Sequence, residues 1–225
     1  MLDSVMRLYA RYRRGAVFVN RALVVAAITL SLGVATASAA TTHILAFGDS
    51  LTAGYGLPPA DGFTTRLAAK LKTDGYDIAI TNGGVSGDTT AGGRARIDWS
   101  LNDHPDVVLV ELGANDMLRG IDPKLTAANL DEILGKLKAA KVKVLLLGML
   151  APPNWGPDYQ KSFNEIYPAL AKKYDVPLYP FFLDGVATDS TLNQGDGLHP
   201  NAAGVEKIVA RIAPAVEQLL GKPAS

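Results

Sequence analysis

The chain has 225 residues, 22 basic and 22 acidic side chains, 48% hydrophobic residues and no cysteine. That length suits one domain with a sizeable core. The missing cysteines exclude thiolate catalysis, cysteine-ligated zinc and disulfide staples, and the lack of a basic cluster outside the N-terminal stretch excludes nucleic acid as a partner.

Residues 1–39 read as a secretory signal peptide. Arg7, Arg11, Arg13, Arg14 and Arg21 precede an apolar run from Ala22 to about Val34, and Ala37-Ser38-Ala39 is a small-residue site of the kind a signal peptidase cuts. The run falls short of the roughly 20 apolar residues of a membrane anchor, and Arg13-Arg14 matches a twin-arginine signal only weakly. Residues 40–225 are then expected to form a single domain, periplasmic or secreted, with no stable membrane span after cleavage. The leader holds five arginines and one acid, Asp3, so the remainder carries 17 basic against 21 acidic residues, a net charge of −4.

Beyond the leader, short β-branched runs alternate with helical patterns, the signature of βαβ units and a parallel sheet covered on both faces. Strands are predicted over His43 to Phe47, Asp77 to Asn82, Val107 to Glu111, Lys143 to Gly148 and Val176 to Tyr179. Between them, Phe63 to Lys72, Thr90 to Ser100, Pro123 to Ala140 and Asp158 to Tyr174 read as helices, with Ala202 to Leu220 closing the chain. Asp122-Pro123 supplies a cap followed by proline in the first turn.

Residues with chemistry fall after these strands, where open α/β sheets bind ligands. Ser50 follows the first, Gly87 the second and Asn115 the third. Serine needs an imidazole to take its proton and the imidazole needs a carboxylate to orient it. Asp196 and His199 stand three apart, a spacing that in a helical turn puts both side chains on one face, and Pro200 restricts the backbone of His199. Acyl transfer also needs donors for the developing oxyanion. The Ser50 amide, the Gly87 amide and the Asn115 side chain are candidates, although each motif taken alone is ordinary turn chemistry.

Other assignments are weaker. His43 begins a strand and His104 lies in a polar turn, so both read as structural or solvated, and so few histidines argue against a zinc hydrolase. Asp49, Asp88 and Asp116 read as ties within their own loops rather than ligands of a hard cation. Ser86 approaches a Gly-x-Ser-x-Gly elbow, but Asp88 replaces the last glycine. No phosphate-binding glycine loop occurs. The stiff segment Leu150 to Pro157 either lines a pocket with Leu150, Pro153 and Trp155 or is a rigid connector with Trp155 packed on the core.

Taken in order, Gly48-Asp49-Ser50-Leu51, Ser86-Gly87-Asp88-Thr89-Thr90, Gly113-Ala114-Asn115-Asp116 and Asp196-Gly197-Leu198-His199-Pro200 resemble the motif blocks of the SGNH or GDSL hydrolases. The likeness is to the bacterial arylesterase, thioesterase I and lysophospholipase L1 group, and it runs from about His43 to the C-terminal helix. The resemblance implies a three-layer, flavodoxin-like α/β fold with a five-stranded parallel sheet. It further implies Ser50 as nucleophile, His199 as general base, Asp196 as its orienter, and an oxyanion hole from Ser50, Gly87 and Asn115. The implied function is hydrolysis of carboxylic esters (aryl esters, acyl thioesters or lysophospholipids) through an acyl-enzyme, with no cofactor, no metal and no obligate protein partner. A carbohydrate acetylesterase of the same fold is the nearest alternative, followed by a non-catalytic envelope binding protein.

Overall fold

A computed structural model describes residues 40–223; the leader reading falls outside these residues. Five parallel strands form the sheet: β1 (Thr42–Gly48), β2 (Ile78–Gly84), β3 (Val107–Glu111), β4 (Lys143–Leu147) and β5 (Leu178–Tyr179), in spatial order β2-β1-β3-β4-β5. The inner strands are almost wholly buried, as Ile44 to Phe47, Val107 to Val110 and Val144 to Leu147 are covered on both faces, which is why they read as unbroken apolar runs. Edge strand β2 is half polar and largely accessible.

The helices are α1 (Ser50–Ala53), α2 (Phe63–Thr73), α3 (Thr90–Ser100), α4 (Ala114–Leu118), α5 (Pro123–Ala139), α6 (Pro157–Asn164), α7 (Ile166–Tyr174) and α8 (Ala202–Leu220). Helix α2 packs with α8, whereas α3 packs with α5 and α5 with α7. Right-handed crossovers, running one way from β1 to β2 and the other way from β2 through β3 and β4 to β5, put these two groups on opposite faces of the sheet. Leu67 and Leu71 of α2 interlock with Val205, Ile208 and Ile212 of α8 in one layer, and Ile97, Leu130, Ile133 and Leu137 fill the other. The chain direction reverses between β1 and β3, and this switch point opens a crevice at the carboxyl ends of the strands.

Several helix starts follow their capping residues. Asp122 accepts from the Lys124 amide at 2.9 Å, with Pro123 opening α5, and Asn201 accepts from the Gly204 amide at 3.0 Å at the start of α8. The helix expected over Asp158 to Tyr174 is two helices, α6 and α7, broken at Glu165. Pro168 has no N–H for the Asn164 carbonyl and its ring crowds that group, so the ladder cannot continue. Among the described residues no helix is long and apolar enough to cross a membrane.

Candidate active site

Strand β1 ends by turning directly into α1. Asp49 caps that helix, its Oδ1 accepting from the Leu51 amide at 3.0 Å, and Gly54 closes it in the left-handed conformation at φ 78°. Ser50 is therefore the first residue of a one-turn helix, with its hydroxyl at the crevice. Gly48 has no room for a side chain: a Cβ there would lie 2.1 Å from Thr52 Oγ1 and 2.6 Å from Glu111 Oε2.

The last motif lies on a loop rather than a helical turn, which corrects the reason its two residues meet. Asp196 Oδ1 accepts from the backbone amides of Leu198 at 2.9 Å and His199 at 3.0 Å, while Gly197 supplies the left-handed conformation at φ 69°. This folded-back turn aims Asp196 Oδ2 at His199 Nδ1, 2.6 Å away. The N–H donors and the imidazole pull the Asp196 carboxyl down to about 2. A proton on Nδ1, facing this carboxylate, leaves Nε2 as an acceptor, and Nε2 lies 2.9 Å from Ser50 Oγ.

Two contacts hold the loop in place. Gln194 Nε2 donates to the Tyr55 carbonyl at 2.8 Å and the Pro200 carbonyl at 2.9 Å, and the Tyr55 ring packs on the imidazole with centroids 4.6 Å apart. Tyr55 and Gln194 carry no motif signature, and sequence inspection missed both.

The candidate oxyanion donors converge from three strand ends. Ser50 and Gly87 both line the crevice, and their backbone amides find no acceptor among the described residues. Gly87 sits at φ 84°, and its carbonyl accepts from Arg119 Nη2 at 2.9 Å, which anchors the Gly87–Asp88 peptide just after the candidate donor. Asn115 lies in the first turn of α4, after Gly113 and Ala114, and is already engaged: its amide nitrogen donates to Asp49 Oδ2 at 3.1 Å and to the Asp88 carbonyl at 2.9 Å.

The acidic residues around the site are each tied to the scaffold. Asp49 serves its own turn, as expected, but Asp88 and Asp116 reach other elements. Asp88 Oδ2 accepts from Arg96 Nε at 2.6 Å, and Arg96 also donates to the Gly83 and Gly48 carbonyls at 2.8 Å, clamping the ends of β1 and β2. Asp116 is buried and accepts from the Thr90 amide at 2.8 Å and from Thr126 Oγ1 at 3.1 Å. Burial raises the Asp49 carboxyl to about 6, against the lowering effect of the Leu51 amide and Asn115. Among the described residues no group of three or more histidines and acids is placed to hold a metal ion.

A cavity of about 250 Å³ opens beside Ser50 and His199. Its walls are mainly apolar, built from Leu51, Met117, Leu118, Met149, Leu183 and Leu198. Leu150, Pro153 and Trp155 do not line it. Trp155 covers Gly120, whose Cβ position lies 3.0 Å from the indole, packs beside Tyr159 and stays half exposed, while Met149, just ahead of the proline-rich segment, faces the cavity. Ser86 lines the cavity but makes no hydrogen bond to an imidazole among the described residues. His43 and His104 are exposed and remote from the crevice.

Fold and site together define a class: a doubly wound α/β protein with a serine, an imidazole and a carboxylate gathered at the switch point. Comparison with known proteins supplies the family. A model of the GDSL-like lipase/acylhydrolase family matches residues 46–207, and the chain belongs to that family. It is 40% identical over 192 residues to esterase TesA of Pseudomonas aeruginosa, covering 85% of this chain and 96% of that protein. An arylesterase of Vibrio mimicus is 43% identical over 165 residues, covering 73% and 82% respectively. The crystal structure of AlinE4, described as an SGNH-hydrolase family esterase, aligns with a TM-score of 0.68 at 48% identity, covering 81% of this chain and 98% of that one.

Proposed function

We propose that the protein is a serine esterase that hydrolyses carboxylic esters carrying an aryl or a short to medium acyl group. The observation that carries this reading is the continuous relay from Ser50 Oγ to His199 Nε2 at 2.9 Å and from His199 Nδ1 to Asp196 at 2.6 Å. Ser50 Oγ attacks the ester carbonyl carbon as its proton passes to His199 Nε2. The Asp196 carboxylate stabilises the resulting imidazolium. Negative charge on the carbonyl oxygen is met by the Ser50 and Gly87 amides and by the Asn115 side chain, whose N–H is shared with Asp49 until the oxyanion forms. His199 then protonates the departing alcohol, and a water deprotonated by the same imidazole releases the acid from Ser50.

Substrate class follows from the cavity. Its apolar walls suit a hydrocarbon substituent and disfavour an acetylated sugar, whose hydroxyls would go unpaired there. At about 250 Å³ it lies below the ~300–1,000 Å³ of drug-sized sites, enough for one acyl or aryl group. The arginine-led apolar leader, together with its small-residue cleavage site, supports export, and the mass of the exported protein tests that assignment.

The deciding experiment compares the protein with Ser50→Ala on p-nitrophenyl esters of increasing acyl length. Activity is expected to disappear in the variant and to peak at short or medium chains. Equal turnover by both proteins would place the nucleophile elsewhere.

A further inference from the structure

Glu111 ends the otherwise apolar strand β3 and is completely buried, directly beneath the turn that presents Ser50. Its Oε2 accepts from Thr52 Oγ1 at 2.9 Å and from the Asp49 amide at 3.3 Å. Oε1 meets no hydrogen-bond partner among the described residues, and the nearby Asp49 carboxyl, by like charge, adds to burial in pushing the Glu111 carboxyl up. Two carboxyls that share a buried site with no cation bonded to either do not both ionise, so one of them holds a proton.

The hydrogen bonds locate that proton. Both Asp49 oxygens face N–H donors, Oδ1 the Leu51 amide and Oδ2 the Asn115 side chain, so Asp49 is the acceptor. Glu111 Oε2 accepts two donors and is carbonyl-like, which leaves Oε1 as the hydroxyl. Among the described residues no cation bonds either carboxyl: Arg96, whose Nη2 reaches the Gly48 carbonyl, is paired with Asp88 through Nε and with the Gly83 carbonyl through Nη1. The other ionisable groups close to the pair are His199, beside Asp49, and Tyr167, which is itself near Asp116.

We propose that Glu111 is a neutral carboxylic acid in the working protein, donating its Oε1 proton to the Asp49 carboxylate and so positioning Asn115 and the Ser50 turn. Burial acts in the same direction, pushing the Glu111 carboxyl well above the usual range. Gly48 belongs to the device, because any side chain there would occupy the space of Glu111 Oε2 and Thr52 Oγ1. Glu111 touches no reacting atom. It acts by keeping Asp49 the single negative charge under the turn and thereby aiming the Asn115 amide. The part played in turnover rests on Asn115 being an oxyanion donor, whereas the location of the proton does not.

Glu111→Gln reproduces the proposed pattern, with a carbonyl toward Thr52 and an N–H toward Asp49, and Glu111→Ala abolishes it. On p-nitrophenyl esters kcat is expected to fall about 10- to 100-fold in Glu111→Ala, part of the effect of one oxyanion donor, with KM little changed. Most of that loss should be restored in Glu111→Gln. The infrared spectrum at neutral pH should show a protonated carboxyl C=O band that is absent from Glu111→Gln. Absence of the band from the unmodified protein overturns the proposal, as does a folded Glu111→Gln as impaired as Glu111→Ala. If Glu111→Gln fails to fold, Thr52→Val decides: losing the Thr52 donor should move the band to higher frequency, and an unmoved band overturns the assignment. Undiminished turnover in Asn115→Ala would instead sink the oxyanion reading while leaving the infrared result intact.

Discussion

Replacing Asp49 by asparagine tests how much the site strains the fold. The Asp49 carboxyl is wholly buried, and desolvation lifts it from its ordinary 3.8 to about 6. At 1.36 kcal/mol per pH unit, this corresponds to about 3 kcal/mol. Because the folded-state value is the higher one, the native protein binds the proton more tightly than the unfolded chain between pH 3.8 and about 6. Stability therefore falls as pH rises through that window. Asparagine keeps the shape and an oxygen for the Leu51 amide but cannot ionise. Urea unfolding of both proteins at a series of pH values gives the stability of the parent minus that of Asp49→Asn. This difference should drop by about 3 kcal/mol from below pH 4 to above pH 6. Asp196 works in the opposite sense, its stabilisation being lost as pH falls from 3.8 toward about 2, and it cancels in the difference because both proteins contain it. A flat difference, or one that rises with pH, would refute the assignment of an ionised, desolvated Asp49.

Two further outcomes concern the chemistry and the cavity. Asn115→Ala should lower kcat by about 100- to 1,000-fold, the usual effect of deleting one oxyanion donor, with KM nearly constant in steady-state kinetics. Leu183→Trp, which fills the cavity, should cost about tenfold in kcat/KM on the longest ester that the parent accepts and spare acetate. Trp155→Ala, away from the cavity, should leave the chain-length profile within about twofold, the scale of an ordinary surface change; a changed profile would return the proline-rich connector to the substrate site.

Much of this arrangement was legible from the chain alone. Alternation of β-branched runs with helical patterns determines the parallel sheet, because strands buried on both faces must be apolar throughout, and local capping at Asp122 determines where a helix begins. The four motif blocks mark the loops that meet at the crevice, since each follows a strand or leads into a helix. Tertiary structure decided which partners those loops find. Asp196 and His199 meet through an Asx-type turn, which their spacing does not distinguish from a helical one. Asp88 and Asp116 serve Arg96 and Thr90, because packing brings together residues far apart in sequence. Met149 rather than Trp155 faces the cavity, since the side on which a loop residue points depends on what the loop packs against. Glu111 did leave a trace, a lone acid closing the run Val107-Val108-Leu109-Val110. Its meaning required the fold, because a carboxyl's charge depends on burial and on the groups around it, and only the packed sheet places Glu111 against Asp49 out of reach of water.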